Sequence, residues 1–226
     1  CIRDSLFIDD DCIPKEDWVE ALVRAHGENP DAVLGGRVDH GLWQNTFSTA
    51  SQVLADYLYA YFNQDPGDCG FFTTNNMALA RDVFLDNDGF DETIPVPTSE
   101  DRELCDRLRH RGYALVYVPD AVVSHAHPLG LRSFWRQHFA YGRGAVYFRR
   151  RRLARGQPVV GIEPMAFYRG MLLRPFRLDR LSGLRGALVS CLLALSQLAV
   201  VIGYVAERWW YRGRKPYGCP AEGGGS

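Results

Sequence analysis

The sequence predicts an α/β fold. Three observations carry that expectation. Short apolar runs that read as strands alternate with amphipathic helices between Ile2 and His125. The first of those runs ends abruptly in three consecutive carboxylates, Asp9, Asp10 and Asp11. Beyond the alternating region, Gly186 to Ala206 is a stretch of 21 residues without a charge, which predicts an appended apolar helix.

In chain order, Ile2–Ile8 reads as a strand, with Leu6, Phe7 and Ile8 apolar enough to be buried on both faces of a sheet. Pro14 suits the first turn of a helix, and Lys15–His26 follows as that helix, ended by Gly27. Its inward face is Trp18 and Leu22, with Val19 and Val23. Ala32–Val38 is a strand containing the pair Gly35-Gly36, and Asn45–Phe62 is a helix with Val53, Leu54, Tyr57, Leu58 and Tyr61 apolar. A turn-rich loop, residues 63–70, leads into extended chain over Phe71–Ala80 and a short helix over Arg81–Leu85. Residues 87–97 are broken by Gly89, Pro95 and Pro97. Thr98 or Ser99 can cap the next helix, which opens with Glu100 and Asp101, buries Leu104 and Leu108, and closes at Gly112. Ala114–Val118 and Ala121–His125 are strands on either side of Pro119. The run from Leu131 to Arg152 is a helix, aromatic on one side and arginine-rich on the other.

Two stretches carry chemistry. Three adjacent acids at a strand end repel one another, and a divalent cation with a preference for oxygen ligands relieves that repulsion. A solvated acidic loop is the plainer alternative. An EF-hand calcium loop is excluded, because its obligatory glycine falls on Pro14 and a ligand position on Ile13. At the second stretch, Glu100 and Asp101 either complement a helix dipole or hold a rigid general base facing the acidic corner. His125 and His127 close the last strand and read first as hydrogen-bonded structural residues.

Composition adds bounds. The formal net charge of −1 conceals 13 Arg against two acids, Glu163 and Asp179, between Leu131 and Arg185, half of all basic residues. That helix could meet phosphate or anionic lipid; with no accompanying nucleic-acid motif, nucleic acid is not an expected partner. The six cysteines are scattered without a CxxC pair, which suits a reducing compartment better than a disulfide framework.

In this order the features resemble the family-2 inverting glycosyltransferases. The residues that carry the resemblance are FIDDDCIP, GFFTTNNMALARDVF, GFDE, SEDRELCDRLRHRGY, VVSHAHP and the aromatic, arginine-rich YGRG segment. It implies a GT-A-like, Rossmann-like mixed sheet flanked by helices, acting on a nucleotide-sugar donor (UDP-, GDP- or dTDP-linked) with Mg²⁺ or Mn²⁺. It implies metal ligation by Asp11, Asp9 and His125, and contact of Asp9, Asp10, Arg136 and Arg143 with the donor diphosphate. Asp101 would be the base, with Glu100 beside it, and Asn75 and Asn76 would face the sugar or acceptor. The QxxRW signature of processive synthases is absent around Phe134-Trp135-Arg136-Gln137-His138, which favours transfer of a single sugar.

The resulting expectation is a partial GT-A domain over residues 1–152, lacking the family's N-terminal nucleotide-binding half. A basic juxtamembrane segment (153–185), a transmembrane helix (186–206) and a tail (207–226) follow. The basic flank would be cytoplasmic, putting the enzyme at the inner membrane with a glycan or lipid-linked acceptor. The alternatives are a non-catalytic, membrane-anchored relic of such an enzyme and another metal-dependent nucleotidyl or phosphoryl transferase, though no phosphate-cradling glycine loop is present.

Overall fold

The computed structural model describes residues 4–96, 98–158, 161–181 and 183–212. Ile2, Pro97 and the tail from residue 213, all included in the expectations above, lie outside them. Five strands form one sheet in the order β1-β4-β3-β5-β2: β1 (Asp4–Phe7), β2 (Cys12–Pro14), β3 (Val33–His40), β4 (Met77–Ala80) and β5 (Leu115–His125). Only β3 and β5 are parallel; the other pairings are antiparallel, so the sheet is mixed as the α/β reading requires.

Several boundaries differ from the sequence reading. β1 is an edge strand paired only with β4, so Leu6 and Ile8 remain exposed instead of being buried on both faces. Pro14 ends β2 rather than starting a helix; an edge strand tolerates its missing N–H. Helix α1 therefore begins later, at Trp18–Glu28, and runs through Gly27 to a cap at Asn29. It buries Trp18 and Leu22 but leaves Val19 and Val23 exposed, one turn-position off the buried stripe. The two strands around Pro119 are one strand. Its register against β3 shifts between Gly36 and Arg37, so the Pro119–Ala121 segment bulges without ending the ladder. The pair Gly35-Gly36 is explained here: a Cβ on Gly35 would overlap the Phe72 ring, and one on Gly36 would strike the Ala121 carbonyl and Asn76.

Helices cover both faces. α1 packs through Trp18, Ala21 and Leu22 on Leu34, Ala78, Val118 and Val123. On the other face lies α4 (Glu100–His110), whose fully buried Leu104 and Leu108 each contribute about 2 kcal/mol of transfer free energy. Between these come α2 (Thr46–Phe62), capped by Asn45, and the short α3 (Arg81–Asp86). Gly112, with φ of +93°, closes α4 as expected.

The C-terminal third does not stand apart. α5 (Leu131–Ala154), α6 (Met165–Leu173) and α7 (Gly183–Arg212) share a core with α2: Ala50, Val53 and Leu54 meet Phe134, Met171, Val189 and Leu193. The expected apolar helix lies inside α7, which presents Gly186, Val189, Leu193, Ser196, Ala199, Gly203 and Glu207 as a buried stripe at helical spacing. Its remaining surface, including Leu188, Leu198, Val201, Ile202 and Val205, is exposed and apolar. The span Gly183–Trp210 is long and apolar enough to cross a membrane.

Candidate active site

Strand pairing assembles the acidic corner. The chain leaves β1, turns at Asp9 (the Cys12 amide donates to the Asp9 carbonyl at 3.0 Å), and enters β2, where Cys12 pairs with His125 of β5. The same pairing continues through the Ala126 amide to the Asp11 carbonyl at 2.9 Å. His125 and His127, two residues apart, thereby come to lie beside one carboxylate. Asp11 Oδ2 is 2.6 Å from His127 Nδ1 and Asp11 Oδ1 is 3.3 Å from His125 Nε2. The ligand atoms of these three side chains all lie within 4.8 Å of one another. Oδ1 of Asp11 is buried without a hydrogen-bond partner, a costly state that a bound cation relieves. An Asp-His-His set fits a divalent metal.

His125 is held in the matching form. Gln52 on α2 donates from Nε2 to Asp56 Oδ1 at 2.8 Å, which leaves its carbonyl Oε1 facing His125 Nδ1 at 3.5 Å. That orientation favours a proton on Nδ1, the tautomer that would turn the Nε2 lone pair toward Asp11. Burial also holds the His125 pKa below its ordinary value, favouring the neutral ring. Asp9, at the turn, is shifted upward by burial and then by the charge of Asp11. Asp10 is exposed on the same cavity wall.

Across the cavity, Glu100 and Asp101 open α4. The expected cap is not made by a side chain. Ser99 stands at the N-cap position with a φ of +73°, and Thr98 Oγ1 donates instead to the Ala140 carbonyl of α5 at 3.0 Å. The start of α4, with Glu100 and Asp101 in its first turn, is thus tied to α5. Asp101 is partly buried and its carboxyl is pushed up to about 7, chiefly by burial and then by the charge of Glu100. One oxygen of Glu100 is buried with no partner.

The cavity between these walls measures about 1700 Å³ and is lined by every residue singled out in the sequence except Asn76. Asn76 is fully buried under the sheet: it accepts from Trp18 Nε1 at 2.8 Å and donates to the Arg37 and Ala121 carbonyls. Asn75 does line the cavity. The two arginines also part company. Arg136 is exposed at the cavity and has no ion pair among the described residues, whereas Arg143 Nε is 2.5 Å from the buried Glu207 of α7.

The profile of the family described as "Glycosyl transferase family group 2" matches residues 6–212, nearly the whole chain. The chain belongs to this family. A pre-mycofactocin glycosyltransferase, found in two strains of Mycobacterium tuberculosis, is 25% identical over 150 residues, covering 62% of this chain and 30% of the relative. The matched part of the chain thus spans about a third of the length of these curated relatives. Among solved structures, S. aureus TarS 1–349 in complex with UDP aligns with a TM-score of 0.34 at 12% identity, over 98% of this chain and 70% of that one.

In this family-2 chain the sequence reading took His127 only as a structural residue and passed over Gln52 and His138. His127 was legible as the second ring of a His-x-His strand end. Gln52 and His138 carried no local signal. His138, fully buried on α5 between Phe134 and Tyr141, has both ring nitrogens without a partner and is pushed down to about 4 by burial.

Proposed function

We propose that this chain carries out a metal-dependent, inverting transfer of a single sugar from a nucleotide-sugar donor to a hydroxyl on a membrane-proximal or lipid-linked acceptor. The observation that carries this reading is that a carboxyl pushed up to about 7 and an Asp-His-His corner open on one cavity. The cavity volume exceeds the roughly 300–1,000 Å³ of a pocket for one small ligand, leaving room for donor and acceptor together.

Asp101 accepts the proton of the acceptor hydroxyl as that oxygen attacks the anomeric carbon. The new carbon–oxygen bond forms on the face opposite the departing nucleoside diphosphate, so one displacement inverts the centre. A pKa near 7 lets Asp101 be ionised before attack and still hold the proton afterwards. A divalent cation, Mg²⁺ or Mn²⁺, held by Asp11, His125 and His127 with Asp9 alongside, supplies charge neutralisation for the diphosphate when bound. Arg136 adds a second positive charge from α5. A single base suffices, unlike the paired carboxyls of a glycosidase.

The exposed apolar surface of α7 supports membrane association, and the arginine-rich flank before it is the ground for an inner-membrane placement with the cavity on the cytoplasmic side. Calorimetric titration of UDP, GDP and dTDP with Mn²⁺ into the chain in detergent tests the reading. Metal-dependent binding lost in Asp11→Ala is the expected result, together with sugar transfer abolished in Asp101→Asn but nucleotide affinity retained. Transfer that survives Asp101→Asn sinks the base assignment.

A further inference from the structure

Arg102 follows the proposed base and lines the same cavity. Its guanidinium is caged by three rings from three parts of the fold: Phe62 ending α2 at 5.2 Å, Phe71 at 5.2 Å and Phe148 of α5 at 5.1 Å. A cation held against rings in this way is stabilised by each of them and loses the freedom to swing away. Ring contacts use none of the guanidinium's hydrogen-bonding capacity, so its N–H donors remain unspent. Among the described residues, the Arg102 guanidinium makes no hydrogen bond or ion pair with a carboxylate or carbonyl. Of the acids near it, Asp101 is the strongest charge neighbour but makes no ion pair with it among the described residues, while Asp106 is engaged by Arg152 and Arg155 and Glu163 by the Tyr61 hydroxyl at 3.0 Å. Arg102 is only partly buried and lines the cavity, so a ligand there can reach its guanidinium. A partly buried cation with an unused donor fork is costly unless something anionic completes it.

We propose that Arg102 is an anion subsite of the acceptor pocket, recognising a carboxylate or phosphate group on the acceptor beside the hydroxyl that Asp101 deprotonates. The inference rests on the transferase reading. The donor diphosphate is not the intended occupant, because its counter-charges sit at the Asp11–His125–His127 corner and Arg136. The cage is built instead from Phe62, Phe71 and Phe148, none of which belongs to that corner. A fork of N–H donors fits both oxyanions bidentately, so the two sources share one chemistry.

The test is an NMR titration of the full chain in detergent with ¹⁵N-arginine, the Arg102 Nε–H resonance being assigned from its loss in Arg102→Lys. The probes are glycerol 3-phosphate and glucuronate, with glycerol and methyl glucoside as neutral controls. A saturable shift with either anion and none with the neutral probes is expected, the responding anion naming the source. Arg102→Gln, checked for an unchanged thermal midpoint, should weaken that binding at least tenfold, and Arg102→Lys less. Silence of the resonance to both anions, equal response to the neutral probes, or undiminished binding in Arg102→Gln overturns the proposal. So does displacement of the anion by UDP with Mn²⁺ in direct competition, which would put the donor there. If metal-dependent nucleotide binding is intact while Arg102 is silent, the anion subsite alone fails; loss of nucleotide binding fails the transferase reading itself.

Discussion

Asp101 couples catalysis and stability in opposite directions. As the proposed base it must be ionised, so the transfer rate should climb with pH through about 7 and then level off. Folding prefers the other form. The folded pKa is raised above the ordinary 3.8, so the folded state holds the proton between those values and stability falls as pH rises through that window. Asp101→Asn, which cannot ionise, should therefore gain on the order of 1–2 kcal/mol over wild type at pH 8, with little difference near pH 4, after allowing for water in the cavity. Denaturant midpoints at the two pH values check this, and equal gains at both would contradict it. At the same scale, Gln52 should matter without touching substrate. Gln52→Leu leaves His125 Nδ1 unheld and should lower Mn²⁺ affinity about 10–100-fold, read by direct metal titration. Unchanged affinity would remove Gln52 from the site.

At the scale of elements, the YGRG segment shows why small residues sit on α5. Gly142 faces α7, where an added Cβ would strike the Val200 carbonyl, and Gly203 of α7 faces the Phe139 carbonyl in return. Gly144 faces the other way, against Thr98 and Ser99 at the start of α4. One stretch of helix thus sets both the approach of the apolar helix and the position of the proposed base. Gly144→Ala should push Ser99, already at positive φ, and with it Asp101. The expected result is a loss of at least tenfold in turnover alongside about 1–3 kcal/mol of stability. A stability loss with normal turnover would show that α4 yields without moving its first turn. The motif was visible in the sequence; which partner each glycine meets was not, because helical spacing leaves both faces open until the helices dock.

For the whole molecule, the arginine-rich end of α5 turns out to be largely neutralised from within. Arg151 pairs with Asp91, Arg152 with Asp106, and Arg155 with both Glu103 and Asp106, while Glu103 also holds Arg107. The local excess of Arg in the sequence counts charges near one another along the chain, whereas their partners come from α4 and the segment before it. Membrane association should accordingly rest on the apolar surface of α7 more than on anionic lipid. Flotation with neutral phosphatidylcholine vesicles should persist in about 0.5 M salt, where exposed charge attraction is screened. Release by salt, or a strict need for anionic lipid, would return the weight to the arginines.

The sequence by itself determined the alternation of strands and helices, the acidic strand end, the acid pair opening α4 and the apolar C-terminal helix. Each of these is a local pattern: periodicity, a charge run, a cap or a length. Tertiary structure decided the rest. The β2–β5 pairing brings His127 to Asp11, 116 residues away in sequence. Packing buries Asn76 as a structural bridge while leaving Asn75 at the cavity, gives Arg143 to Glu207, and folds three phenyl rings around Arg102. Those outcomes depend on partners far apart in the chain, and neither propensity nor spacing specifies which of them will meet.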